Sequence, residues 1–217
     1  MNIKKLYHTL RCALPHLLFK TRGTGGVVAV KKLFSFLLKN TGLMRFTDRY
    51  ELLAFSLDEA PTNGMILEFG VASGRTIRVM GGAVPDRVVY GFDSFDGLPE
   101  PCFPLSKGAF KQSELPEVPD NVELVIGMFQ DTLGGFLEEH IEKAAFIHMD
   151  ADLYSSTKYV LFTLGDSHRI VPGTVMQFDE YWVEGEYRGF HEFVEHFGVK
   201  FEFIGIVGGR VSVRVLE

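Results

Sequence analysis

Glu68, Asp93, Asp150, Asp152, Asp179 and Glu180, with one small-residue loop, are the parts of this 217-residue chain whose types and spacing suit chemistry. The loop reads LEFGVASGR. Glu68 closes an apolar run, Gly70 opens the loop, and Gly74 stands where a helix would begin. Small residues let the backbone approach a ligand at the carboxyl edge of a sheet, and a helix N-terminus receives a carboxylate or phosphate. Glu68 adds a negative charge suited to an ammonium group rather than to a pyrophosphate. Asp93 follows the next apolar run, in GFDSFDG. An acid in that place accepts hydrogen bonds from ribose hydroxyls in adenosine-binding α/β folds. The loop spacing is GxxxG; it lacks the middle glycine of the dinucleotide motif GxGxxG. No GxxxxGK[ST] occurs, which excludes a P-loop. The ordered set Glu68, Gly70, Gly74, Asp93 therefore points to S-adenosyl-L-methionine as the bound cofactor.

The second group is acidic. Asp150 and Asp152 lie in HMDADLYSST, and Asp179 and Glu180 in QFDEYW, each pair just after an apolar run. Carboxylates brought together are costly unless a cation neutralises them. Hard oxygen donors suit Mg²⁺ or Ca²⁺ rather than zinc. The expected ligands are Asp150, Asp179 and Glu180, with Asp152 read equally as a ligand or as the cap of the helix near Ser155. Asp150-Ala151-Asp152 also fits a DxD motif, which keeps open a metal-dependent glycosyltransferase. HEFVEH places His191 and His196 five apart, so it misses the HExxH zinc spacing. His148 falls inside a strand and reads as a core histidine.

The elements that position these residues alternate. Met65–Phe69, Arg87–Phe92, Val122–Ile126, Ala145–Met149 and Thr174–Phe178 read as buried strands. Helices are expected from Arg75, over Phe136–Lys143, Ser155–Leu164 and Glu184–Phe197. Alternation of this kind implies α/β architecture with a parallel sheet and helices on both faces. Lys200–Ile206 and Arg210–Leu216 alternate around Gly208-Gly209 and read as an antiparallel hairpin. The stretch from Asp93 to Asn121 is too long for a plain connection and reads as a lid.

Charge divides the chain. Residues 1–45 hold nine Lys/Arg and no acid, leaving 13 basic and 28 acidic residues beyond them; the formal net charge is -6. An acidic body argues against nucleic acid as partner. Residues 1–47 read as a basic helical extension or lid, with candidate helices around Leu6–Leu18 and Val27–Leu38 separated by TRGTGG. Asp48–Leu57 is a further helix at the start of the main domain, 48–217. The basic helices suit a peripheral membrane contact, a cover for the site, or packing against the domain or a second subunit of a homo-oligomer. No run approaches the roughly 20 apolar residues of a membrane span. Cys12 and Cys102 form no CxxC pair or disulfide framework, which points to the cytoplasm.

Taken in order, LEFGVASG, GFDSFDGLPE, GMFQDTL, MDADLYSST and FDEYW resemble the class I S-adenosylmethionine-dependent methyltransferases, in particular the macrocin O-methyltransferase (TylF/MycF-like) family. The resemblance runs from about Thr41 to the end. It implies a Rossmann-like, seven-stranded, mostly parallel sheet and Mg²⁺-dependent O-methylation of a small-molecule acceptor, such as a sugar or glycosylated natural product. It implies that Glu68, Phe69, Gly70, Val71 and Ala72 line the methionine part of the cofactor, and that Asp93, Ser94 and Phe95 surround ribose and adenine. Asp131 and Thr41 are further cofactor contacts on the same ground, and Asp150, Asp179 and Glu180 match the metal positions. Relatives place a histidine after the second strand; residues 93–121 contain none here. Catechol-type relatives carry a lysine where this chain has Leu153. No general base is assigned. A non-catalytic, membrane-peripheral protein of the same fold is the remaining alternative.

Overall fold

The computed structural model describes residues 36, 43–102, 104–182 and 184–217. Thr41, the whole of the first N-terminal helix candidate and all of the second except Phe36 lie outside them. Phe36 is helical, and its ring packs edge-on against Trp182 at 5.1 Å and Phe203 at 4.5 Å.

The described residues form β1 (Met44–Arg45), α1 (Arg49–Asp58), β2 (Met65–Phe69), α2 (Arg75–Ala83), β3 (Val89–Asp93), β4 (Val122–Ile126), α3 (Phe129–Glu139), β5 (Ala144–Met149), α4 (Tyr154–Asp166), β6 (Val175–Phe178), α5 (Glu184–Phe197), β7 (Phe201–Val207) and β8 (Arg210–Val215). The strands make one sheet in the order β1-β7-β8-β6-β5-β2-β3-β4. All neighbours are parallel except β6–β8 and β7–β8, so the C-terminal hairpin enters antiparallel as expected.

The sheet has eight strands, not seven. The extra strand, β1, pairs with β7 through Met44↔Gly205 and Arg45↔Ile206, and Phe46 N donates to Ile206 O at 2.9 Å. Two residues are too few for alternation to reveal a strand. The helix expected over Phe136–Lys143 instead begins at Phe129. Gly134-Gly135 inside it depress helix propensity, and burial of Leu133, Phe136 and Leu137 overrides them.

Alternation along the strands builds two cores. Leu67, Ile147, Met176 and Val213 face α3, α4 and α5 through Leu133, Val160 and Phe190. Ile66, Phe146 and Val175 face α1 and α2 through Leu53, Leu57, Ile77 and Met80. At the start of α1, Asp48 caps the helix by accepting from Tyr50 N at 2.8 Å and Glu51 N at 3.3 Å. At the other end of α1, the Arg214 guanidinium joins Glu59 to Glu202, tying α1 to the hairpin.

Chain order creates the place for a site. From β2 the chain steps outward to β3 and β4, then returns to β5 on the opposite side of β2. The loops after β2 and β5 therefore part at the carboxyl edge, where open α/β sheets bind ligands.

The face toward α2 has little slack at Gly91. A Cβ there would stand 2.3 Å from Ile77 Cδ1 and 2.8 Å from Val71 Cγ2. Overpacking of this kind costs about 1–3 kcal/mol. Gly91→Val is expected to lower the unfolding free energy measured in urea by at least that much, and unchanged stability would show that α2 is free to shift.

Candidate active site

Backbone contacts shape the edge. Gly70 has φ +98°, and a Cβ there would lie 2.0 Å from the Asp150 carbonyl oxygen. Gly70 N donates to Phe92 O at 3.0 Å and Asp150 N to Phe69 O at 2.9 Å, so β2, β3 and β5 end level. Only glycine allows this approach.

Asp93 braces the loop. Its Oδ2 accepts from Val71 N at 2.9 Å and Ala72 N at 2.7 Å, and its Oδ1 from Phe95 N at 2.7 Å. A carboxylate offers about four acceptor sites, so three backbone donors leave little for a ribose. These bonds hold Ala72 at φ 45° and Phe95 at φ 58°, conformations that side chains resist.

In front of the loop is a cavity of about 450 Å³, within the range of small-molecule sites. Gly70, Val71, Ala72, Asp93, Ser94 and Asp150 line it. The lid also does, through Gly97, Leu98, Pro99, Phe110 and Gln112. The lid is folded on itself by Leu98 N to Ala109 O at 2.9 Å and Gln112 N to Phe95 O at 3.0 Å. It is anchored to α4 by Ser155 Oγ donating to Glu100 Oε1 at 2.6 Å.

Several expected contacts lie elsewhere. Glu68 and Phe69 are fully buried behind the loop, and Phe95 is buried beside it. Phe69 stacks on Phe92 at 4.8 Å. Asp131 is exposed on α3, outside the cavity; the preceding Gly127–Gln130 provide the wall instead. Residues after β4 share the edge with those after β2 and β3, and that strand order is the signal by which they could have been found. Arg49, Arg75 and Thr76 also line the cavity; a helix start carries no motif that would flag them. Asp152 does not cap α4, whose cap position is Leu153 with no side-chain bond. Asp152 lines the cavity at φ 56°.

Beneath the cavity runs a buried polar row. Glu68, His148, Gln177 and Ser212 are register partners across β2, β5, β6 and β8. His148 Nδ1 meets Glu68 Oε1 at 3.0 Å, and its Nε2 stands 3.8 Å from Asp179 Oδ1. Burial would lower the His148 pKa, but Asp179 and Glu68 outweigh it and push the imidazole up to about 10. Burial raises the Glu68 carboxyl while His148 lowers it. The proton belongs on the imidazole, which has carboxylates on both sides. Arg210 grips Asp179 with Nε to Oδ1 at 2.6 Å and Nη2 to Oδ2 at 2.7 Å. Against its burial, Asp179 is held well below the usual carboxylate range by His148 and Arg210.

These residues do not fit the expected Mg²⁺. Both oxygens of Asp179 face the Arg210 fork, so the carboxylate cluster already has its cation. Among the described residues no group of three His, Cys, Asp or Glu side chains is placed to share an ion. Asp179 and Glu180 are buried and stand outside the cavity lining. Burial and the charge of Asp179 push the Asp150 carboxyl well up. Burial does the same to Glu186, whose Oε2 accepts from Glu180 N at 2.9 Å. The Arg210 fork relieves part of the crowding, and the raised proton affinity of Asp150 and Glu186 reflects what remains.

Comparison with known proteins agrees with this architecture. The family model described as "Methyltransferase domain" matches residues 67–181. Among solved structures, the O-methyltransferase NovP is 22% identical, with 79% of this chain and 81% of that one covered and a TM-score of 0.61. The calicheamicin methyltransferase CalS11 is 22% identical, with 99% and 93% covered and a TM-score of 0.61. SAH-bound PaMTH1 of Podospora anserina is 17% identical, with 80% of each chain covered and a TM-score of 0.51. These likenesses establish a shared fold. No curated protein matches the chain.

The buried row has a pH signature. A group whose pKa rises from 6.5 to about 10 on folding stabilises fully below pH 6.5, and that contribution is lost as pH climbs to about 10. In urea unfolding, His148→Gln is expected to be destabilised most at pH 6 and progressively less toward pH 10. A gap constant across the range would mean that His148 is neutral when folded.

Proposed function

The chain belongs to the methyltransferase-domain family, and on that premise we propose that it transfers a methyl group from S-adenosyl-L-methionine to a hydroxyl oxygen of a small-molecule acceptor. The observation that carries the reading is the cavity at the carboxyl edge, with the Gly70–Ala72 loop and Asp93 on one side and the folded lid on the other. Its volume and its mixture of backbone, apolar and acidic walls fit a nucleoside joined to an amino acid. When bound, that cofactor supplies an electrophilic methyl group on a sulfonium.

The chain's own residues then have three tasks. The braced loop holds the cofactor's methionine arm. The lid, through Leu98, Pro99 and Phe110, excludes water and fixes the acceptor, and near-attack placement supplies much of the acceleration. Asp150 and Asp152 belong to the cavity wall, and in this reading their carboxyls hydrogen-bond the acceptor hydroxyl. The raised proton affinity of Asp150 suits it to receive the hydroxyl proton as the oxygen attacks.

The resemblance to macrocin-type enzymes and the likeness to CalS11, described as a TDP-rhamnose 3'-O-methyltransferase, support a sugar hydroxyl, free or on a glycosylated natural product. The reading needs no divalent cation, because Arg210 occupies Asp179.

Two measurements test it. Titration calorimetry should show saturable binding of S-adenosylhomocysteine, and binding of a UDP-sugar in its place would overturn the reading. With labelled cofactor and a panel of sugar acceptors, transfer should persist in excess chelator. Asp150→Asn should lower kcat by about 10²–10⁴-fold with cofactor affinity retained. Loss of transfer on chelation would restore the metal.

A further inference from the structure

Two arginines line the cavity, Arg49 and Arg75, the first residues of α1 and α2. Among the described residues neither has a carboxylate partner in an ion pair. Arg49 is half-buried and fixed: its Nη2 donates to Thr76 Oγ1 at 3.1 Å, and its guanidinium lies 5.0 Å from the Tyr50 ring centroid. Thr76 is the neighbour of Arg75, so both cations gather at the start of α2. That helix has no acid in its first turn and no side-chain cap on Gly74. The positive end of its dipole therefore faces the same region uncompensated.

An anion approaching the loop after β2 would ordinarily be met by loop amides. Here the amides of Val71 and Ala72 are already engaged by Asp93 Oδ2. The acids of the cavity, Asp93, Asp150 and Asp152, come from the end of β3 and the loop after β5. Cations thus come from the two helix starts and anions from two strand ends, a division suited to a ligand carrying both charges.

We propose that Arg49, assisted by Arg75, binds the amino-acid carboxylate of the cofactor and so sets the position of its methionine arm. The assignment rests on the methyltransferase reading above and adds the group that recognises the donor's charged end. A planar guanidinium held by a hydroxyl on one side presents its remaining N–H groups to a carboxylate as a fork.

The test separates the carboxylate from the rest of the ligand. S-adenosylhomocysteine carries it; 5′-methylthioadenosine lacks the whole amino-acid arm. Calorimetry on the full chain is expected to show Arg49→Gln weakening S-adenosylhomocysteine at least about tenfold. Binding of 5′-methylthioadenosine should stay within about twofold. Arg49→Lys should recover part of the loss, and Arg75→Gln should show a smaller loss with the same selectivity. Equal weakening of both ligands would make Arg49 a scaffold residue and overturn the proposal. So would unchanged S-adenosylhomocysteine binding accompanied by a raised KM for a phosphate-bearing acceptor. If the wild-type chain binds neither ligand, the cofactor reading itself fails.

Discussion

The buried ionic pairing at the end of β5 and β6 is the constraint on which the site depends. Asp179 and Glu68 are carboxylates taken out of water, and each must meet a cation or lose its charge. Arg210 reaches Asp179 because β6 and β8 run antiparallel with Phe178 opposite Val211, which brings the next residue of one strand beside the preceding residue of the other. His148 sits between Glu68 and Asp179 because β5 lies between β2 and β6. The same row continues through Gln177 to Ser212, whose hydroxyl lies 2.6 Å from Ser56 on α1. A register slip of one residue in any of these strands would turn its polar member to the opposite face. The row therefore fixes where β2, β5 and β6 end, and so fixes the loops that form the cavity.

This row also explains which parts of the site were legible in the sequence. Strand positions follow from apolar runs, and strand ends follow from strands, so Gly70–Ala72, Asp93, Ser94 and Asp150 could be located by order alone. Their roles were harder to read. Asp93 has the place expected of a ribose acceptor but is occupied by backbone amides; loop closure is invisible without the turn of Ala72. In the sequence no cation stands beside the carboxylates of Asp150, Asp179 and Glu180, because Arg210 is 31 residues from Asp179. Only the pairing of the hairpin with β6 makes them neighbours. Such contacts have no local signature.

The fold shows the same limit. The helix of Glu184–Phe197 and the hairpin were readable because periodicity and a Gly-Gly turn mark them. The edge strand β1 was not, since Met44–Arg45 is defined by its partner and not by its own pattern. The start of α3 was masked by Gly134-Gly135, where tertiary burial overrides propensity.

Acidic residues that look alike in sequence have thus been divided among separate tasks by depth. Glu68 and Asp179 lie beneath the cavity and hold strands together. Asp93 lies at its floor and shapes a loop. Asp150 and Asp152 line the wall. Charge at the first level is neutralised by fixed cations of the chain itself, which lets the second level spend its acceptors on backbone. The third level is left with carboxyls in partly desolvated surroundings. That is the setting in which a carboxyl's affinity for a proton becomes adjustable by what binds beside it.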